Sequence, residues 1–209
     1  MVATEKLFIP NGEIKLEAEF FQSNSSKLKP IVLICHPHPQ FGGNMYNNVV
    51  SGVFNKLIEN DLSCLRFNYR GVGASTGSYS DGTGELSDVH ACIDYLIKES
   101  FEGIIICGYS YGAAIGCSAV NYSEKIIGFI SISFPWGFMG IYKEKSQTSK
   151  SKLFIQGNRD DVARFDNFQK NYEFYMDPKK SKIIDGADHF YWGYEGQIAE
   201  EVLNFLHTF

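Results

Sequence analysis

The chain has 209 residues, with 24 acidic and 19 basic side chains, a formal charge of −5 and a hydrophobic content of 44%. That length suits a single domain over 1–209 with a substantial core. The acidic balance, with no basic cluster, argues against nucleic acid as a partner. Five cysteines (Cys35, Cys64, Cys92, Cys107 and Cys117) include no CxxC pair and mostly sit in or beside apolar runs. They read as buried reduced thiols rather than a disulfide framework or a metal site.

Residues 1–15, MVATEKLFIPNGEIK, carry charges where a secretory signal needs an apolar stretch, so a cytoplasmic protein is expected. Runs at 7–10 and 13–22 flank Asn11-Gly12, which predicts a hairpin turning on those two residues. Ile14, Leu16, Ala18 and Phe20 alternate with Glu13, Lys15, Glu17 and Glu19. That period of two predicts a sheet-edge strand with one face on the core and the other in water.

Six further runs follow, at 30–36, 63–69, 103–109, 126–134, 151–157 and 180–186. They are short and nearly continuously apolar, as in parallel strands buried on both faces. Helical stretches are expected at 48–60, 85–99, 112–121, 162–176 and 192–207. In 85–99, Leu86, Val89, Ile93, Leu96 and Ile97 share one helical face. This alternation predicts an α/β protein: a mostly parallel eight-stranded sheet with helices on both faces, preceded by an antiparallel hairpin. The longest apolar region, 126–142, is interrupted by Pro135 and by glycines and serines, and reads as a strand plus an aromatic loop rather than a membrane span. The 135–150 connection has room for a short helix or lid loop but not for a cap domain.

Residues 104–116 read IIICGYSYGAAIG. Ser110 stands where a buried strand ends and a helix begins, between Gly108 and Gly112. A tight strand-to-helix turn needs residues without a Cβ where the two elements nearly touch. The serine between them is held in a strained conformation that exposes its Oγ, a nucleophile elbow. The helix behind it aims N–H groups at the site and favours negative charge there.

A serine hydroxyl needs a base, and the base needs an orienting carboxylate. Of the five histidines, His90 falls within a helix and His207 close to the last residue. His189 follows the last strand, on the same sheet edge as Ser110. For the carboxylate, QGNRDD at 156–161 offers Asp160 and Asp161. Asp185 and Asp188 are rivals close in sequence to His189, and suit helix caps or turn pins better. For the oxyanion, Tyr111 N–H follows the nucleophile. A second donor is expected from HPHPQFGGN after the strand at 30–36. Pro37 and Pro39 have no N–H, which leaves His38 or Gln40.

The stretches 34–50 (ICHPHPQFGGNMYNNVV), 67–77 (FNYRGVGASTG), 108–113 (GYSYGA), 156–162 (QGNRDDV) and 186–193 (GADHFYWG) resemble, in order and over nearly the whole chain, the α/β-hydrolases. They are especially similar to small capless hydrolases distantly related to dienelactone hydrolase. The resemblance implies the α/β-hydrolase fold without a cap and a serine hydrolase. It selects Asp160, through the G-x-x-D turn, and His38 as the second oxyanion donor beside Tyr111. The expected catalytic set is then Ser110, Asp160 and His189, acting on small carboxylic esters or thioesters through an acyl-enzyme.

A serine peptidase with the same triad and a non-catalytic binding module of the same fold are the alternatives. His36-x-His38 lacks a carboxylate or third histidine at metal spacing, so neither metal nor cofactor is expected. Arg70 is expected to anchor a loop by an ion pair. Tyr109, Tyr111, Phe134, Trp136, Phe138, Phe190, Tyr191 and Trp192 are candidates for an acyl pocket, although about a third of them are expected to make contact and the rest to pack in core or loops.

Overall fold

Continuous apolar runs form the middle of the sheet, and charge-rich runs form its two edges. A computed structural model describes residues 4–24 and 30–209. Its strands are β1 (Glu5–Asn11), β2 (Ile14–Phe21), β3 (Ile31–Cys35), β4 (Cys64–Phe67), β5 (Ile104–Tyr109), β6 (Ile126–Ile132), β7 (Ser151–Gly157) and β8 (Lys179–Ile184). Its helices are α1 (Asn48–Glu59), α2 (Thr83–Lys98), α3 (Tyr111–Cys117), α4 (Trp136–Met139), α5 (Phe165–Tyr172) and α6 (Glu195–Leu206). One eight-stranded sheet runs β1-β2-β4-β3-β5-β6-β7-β8. β2 pairs antiparallel with β1 and β4, and every other pairing is parallel.

The central strands are buried along their whole length, and their alternation divides the core in two. Ile104 and Ile106 of β5 point to a cluster with Val89, Ile93 and Leu96 of α2 and Ala113 and Ala114 of α3. Ile105, Cys107 and Tyr109 point to the opposite face, where Val53, Phe54 and Leu57 of α1 meet Ile198 and Val202 of α6. Each fully buried branched side chain contributes about 1.5–3 kcal/mol, so both layers are held firmly to the sheet. The connection from β6 to β7 holds only α4 and a short turn at Gly140–Tyr142, with no cap insertion. No helix of the described residues is long and apolar enough to cross a membrane.

Several expectations shift. The hairpin turns one residue later than Asn11-Gly12: Asn11 pairs with Ile14, and Gly12 (φ 61°) and Glu13 form the loop. The Asn11 amide instead donates to Ser87 Oγ at 3.1 Å and Asp88 Oδ1 at 2.9 Å, tying β1 to α2. β2 is not the edge strand; β1 is. Nor is its polar face wholly in water, because Glu19 is buried opposite Arg66 of β4. Arg66 donates to Glu19 Oε2 from Nε (3.0 Å) and Nη2 (2.7 Å), and lies over the rings of Tyr46 and Phe54. A cross-strand ion pair thus replaces solvation.

β8 is exposed rather than buried on both faces, and its lysines blunt the open edge against further strand pairing. The helix expected at 162–176 shrinks to α5 because the Asp160 carboxylate takes the N–H groups of Val162 and Ala163 into a turn. The one expected at 112–121 ends at Cys117, where turns take over.

Candidate active site

Ser110 leaves β5 and caps α3 with φ 55° and ψ −116°, a conformation that residues other than glycine rarely adopt. Holding it costs of order 1–3 kcal/mol, which the packing around it must offset. The two glycines show how tight that packing is. A Cβ on Gly108 would lie 2.2 Å from Gly112 O, and one on Gly112 would lie 2.2 Å from Cys35 O. The ends of β5 and β3 and the start of α3 are in backbone contact, so the spacing of glycine, serine and glycine is a steric requirement. Ser110 N–H donates to Ile132 O on β6 at 2.8 Å, which locks the turn to the neighbouring strand.

His189 arrives from the loop after β8. Its Nε2 lies 2.9 Å from Ser110 Oγ, and its Nδ1 lies 2.9 Å and 3.1 Å from Asp160 Oδ2 and Oδ1. Asp160, in the loop after β7, is buried. Its Oδ1 accepts the Val162 and Ala163 N–H groups at 3.0 and 2.7 Å. Its Oδ2 accepts Ser133 Oγ–H at 2.7 Å and the Gln156 amide at 3.3 Å. With so many donors aimed at it, the carboxylate can only accept. The histidine proton therefore belongs on Nδ1, leaving Nε2 to accept from the serine.

The rival acids lie elsewhere. Asp161 is exposed, Asp185 holds the Asn158 amide at 2.7 Å, and Asp188 pins a turn through the N–H groups of Phe190 and Tyr191. His90 stacks on Tyr122 and does not approach the relay, and His207 caps α6. Arg70 makes the expected ion pair, 2.7 Å from the fully buried Asp88.

Sequence reasoning missed the layer behind Asp160. Ser133 (φ 49°) and Tyr191 (φ 55°) are both buried in left-handed conformations. Their hydroxyls are 2.6 Å apart, and Tyr191 Oη accepts Gly157 N–H at 2.8 Å. Donation therefore runs in one direction, from Gly157 through Tyr191 and Ser133 to Asp160. Burial pushes the Tyr191 phenol above its usual range, keeping it a neutral donor. Tyr109, expected as pocket lining, also donates its hydroxyl to His189 O at 2.5 Å and so positions the histidine backbone. Ser133 had one legible signal, its position just past a strand on the same sheet edge as Ser110. Tyr191 had none.

The loop after β3 borders the other side of Ser110. The buried His36 imidazole contacts Pro37 O through Nδ1 at 2.6 Å and accepts Tyr69 N–H on Nε2 at 3.1 Å. Both ring nitrogens are thereby occupied in holding this loop to the one after β4. A Cβ at Gly43 would lie 2.1 Å from Pro37 O, so the loop closes tightly on itself. Gln40 N–H is engaged by His38 Nδ1 at 3.2 Å. His38 and Tyr111 both line the pocket over Ser110, and Tyr111, as the first residue of α3, has an N–H with no acceptor within its helix.

Burial lowers the His36 pKa to about 4 from an ordinary 6.5. A histidine kept neutral in the fold while the unfolded chain takes up a proton destabilises the fold as pH falls through 6.5, and the loss levels off near 4. The expected cost between pH 7.5 and 4.5 is roughly 2–3 kcal/mol. Urea unfolding at the two pH values, for wild type and His36→Asn, checks this. The variant should be weaker at pH 7.5 and lose correspondingly less on acidification. Equal losses would contradict the assignment.

The pocket has a volume of about 360 Å³ and is lined by Ser110, His189 and His38 with a mostly apolar wall. Tyr109, Tyr111, Phe138 and Phe190 belong to it, and Phe41, Met139 and Val162 join them unforeseen. Phe134 and Trp136 instead stack on each other in the core, Tyr191 is buried behind Asp160, and Trp192 faces solvent.

No protein-family model matches the chain. Among solved structures, an α/β serine hydrolase homologue from Coxiella burnetii is 31% identical, covers 99% of both chains and superposes with a TM-score of 0.88. A lidless α/β serine hydrolase from Xanthomonas campestris is 23% identical over 98% of this chain and 96% of its own, with a TM-score of 0.82, and supports the fold alone. An uncharacterized protein of Rickettsia prowazekii is 29% identical over 97% of this chain and 89% of its own length. The elbow at the end of β5, the uncapped sheet and near-complete coverage at 31% identity lead to one conclusion: the chain belongs to the α/β serine hydrolases.

Proposed function

We propose that the protein hydrolyses carboxylic esters or thioesters of small molecules through an acyl-enzyme, with Ser110, His189 and Asp160 as its triad. One observation carries this reading: the continuous relay from Ser110 Oγ through His189 to the buried Asp160, with both links at 2.9 Å. Ser110 Oγ attacks the carbonyl carbon while His189 Nε2 takes its proton. Asp160 steadies the resulting imidazolium, and His189 then returns the proton to the departing alcohol or thiol. Water, activated by the same nitrogen, releases the acid. The N–H groups of His38 and Tyr111 act as donors to the oxyanion. His38 is favoured over Gln40 because the Gln40 N–H already bonds an imidazole. A donor of this kind is worth about 3 kcal/mol of barrier lowering.

Kinship with the small capless enzymes related to dienelactone hydrolase is part of the same proposal, supported by the short β6–β7 connection. So is a cytoplasmic location, supported by five buried free cysteines. A fully formed relay disfavours a non-catalytic binding module.

A panel of 4-nitrophenyl esters of graded acyl length, run beside an acyl-CoA and a peptide anilide, tests the substrate class. Saturable ester or thioester turnover, at roughly 1–1000 per second for the best substrate, is the expected result. Turnover of the anilide alone would make the enzyme a peptidase, and no turnover of any would favour the binding module.

A further inference from the structure

We infer that the acyl half of the substrate lies in a second cleft beside Ser110 and is an aromatic acyl group bearing neutral hydrogen-bonding substituents; this rests on the ester-hydrolysis reading above. The cleft, about 520 Å³, shares His38, Tyr111, Phe138 and Met139 with the catalytic pocket but reaches neither Ser110 nor His189. Its far wall is Tyr79 and Tyr142, which pack on the core layer of α2 and α3. The residues beside His189, Tyr191 and Tyr194, pack on the opposite layer, with α1 and α6. The cleft and the general acid therefore flank Ser110 from opposite faces of the sheet.

That arrangement decides which half of an ester goes where. The leaving oxygen must reach His189 Nε2 to be protonated, so the alcohol half points to the His189 side. The oxyanion occupies the donors of His38 and Tyr111. The remaining substituent on the tetrahedral carbon, the acyl chain, is directed away from His189 and into the cleft.

The lining indicates its chemistry. The His38 ring packs on those of Tyr111 (4.6 Å between centroids) and Tyr79 (5.4 Å); Tyr111 is buried within this aromatic wall, and His38, Tyr79 and Tyr142, all partly exposed, offer ring surface to the cleft. Tyr142 is held close over the N-terminus of α2, where a Cβ on Gly82 would meet its hydroxyl at 2.1 Å. Flat rings stack on such walls. The rim adds Thr83, Asp81 and Lys145, one acid and one base, which suits neutral donors and acceptors better than an anion. These three side chains are exposed at the mouth of the cleft, where a hydroxyl on a ring can bond to them and a plain alkyl chain gains no such bond.

The test holds 4-nitrophenol constant as leaving group and compares kcat/KM for the acetate, hexanoate and 3-(4-hydroxyphenyl)propanoate esters. The hydroxyaryl ester is expected to exceed the hexanoate by about tenfold, the gain of one or two good ring contacts. The same preference should appear in the methyl esters, because it follows the acyl half. Tyr142→Ala should lower the hydroxyaryl-to-hexanoate ratio about tenfold. Thr83→Trp, a surface change that fills the cleft, should do the same if the first variant folds poorly. A hexanoate preference, a ratio that follows the alcohol instead, or a ratio indifferent to both variants would overturn the inference while acetate turnover leaves the hydrolase reading standing. Loss of acetate turnover and of serine labelling in the wild-type protein would remove that reading and this inference with it.

Discussion

Replacing Ser110 with alanine is expected to lower kcat for ester hydrolysis by roughly 10⁶-fold, because residues that act as one unit lose nearly everything when the nucleophile goes. What remains, roughly 10³–10⁴ over water, comes from the oxyanion donors and from binding. The backbone strain at Ser110 (φ 55°, ψ −116°) adds a second consequence. Alanine retains that strain. Glycine does not, so Ser110→Gly should be as inactive as Ser110→Ala yet more stable than it. The expected difference is about 1 kcal/mol, or roughly 2–4 °C in Tm for a chain of this size, after glycine's own entropic penalty is subtracted. Calorimetry of the two variants beside wild type measures it. Equal melting temperatures would mean that the elbow stores no strain.

Asp160→Asn is expected to keep the fold and lose about 10⁴-fold in kcat. The reason lies in the donor count. Two backbone N–H groups face Oδ1, so the amide oxygen settles there. The amide NH₂ then takes the Oδ2 position, facing His189 Nδ1. The imidazole must accept on Nδ1 and carry its proton on Nε2, and so can no longer take the proton of Ser110 Oγ. Ser133 Oγ–H and the Gln156 amide, which both donate to Oδ2 in the wild type, then face an NH₂ and lose that acceptor, so a stability loss of about 1–3 kcal/mol accompanies the catalytic one. A folded protein with a Tm lowered by roughly 2–10 °C and a kcat loss of that size supports the account. A loss below tenfold would mean that Asp160 does not set the tautomer.

The fold was legible wherever burial leaves a periodic trace. Fully buried strands such as Ile31–Cys35 and Ile104–Tyr109 stand out as unbroken apolar runs, and loops that follow strands in a parallel sheet share one rim. The edges were less legible. Glu19 read as solvated because its partner Arg66 is 47 residues away, and β8 read as buried although its lysines line an open edge. In the site, Ser110 was legible because strand, turn and helix meet in steric contact there. Ser133 had only its place past β6 to mark it and Tyr191 nothing, since Ser133 bonds Asp160 and Tyr191 bonds Ser133 through hydroxyl contacts that impose no spacing on the sequence. Phe41 escaped notice for a similar reason: a lone exposed aromatic in a glycine-rich loop has no pattern to betray it.

The central claim is that one hydroxyl, activated by the loops after β7 and β8, does the chemistry. A fluorophosphonate, which reacts only with an activated nucleophile, examines it most directly when the adduct is located by peptide mass spectrometry. The account predicts one phosphonyl group per chain, on Ser110, absent from Ser110→Ala and acquired far more slowly by His189→Ala. An adduct on any other residue, or equal labelling of wild type and Ser110→Ala, would contradict it.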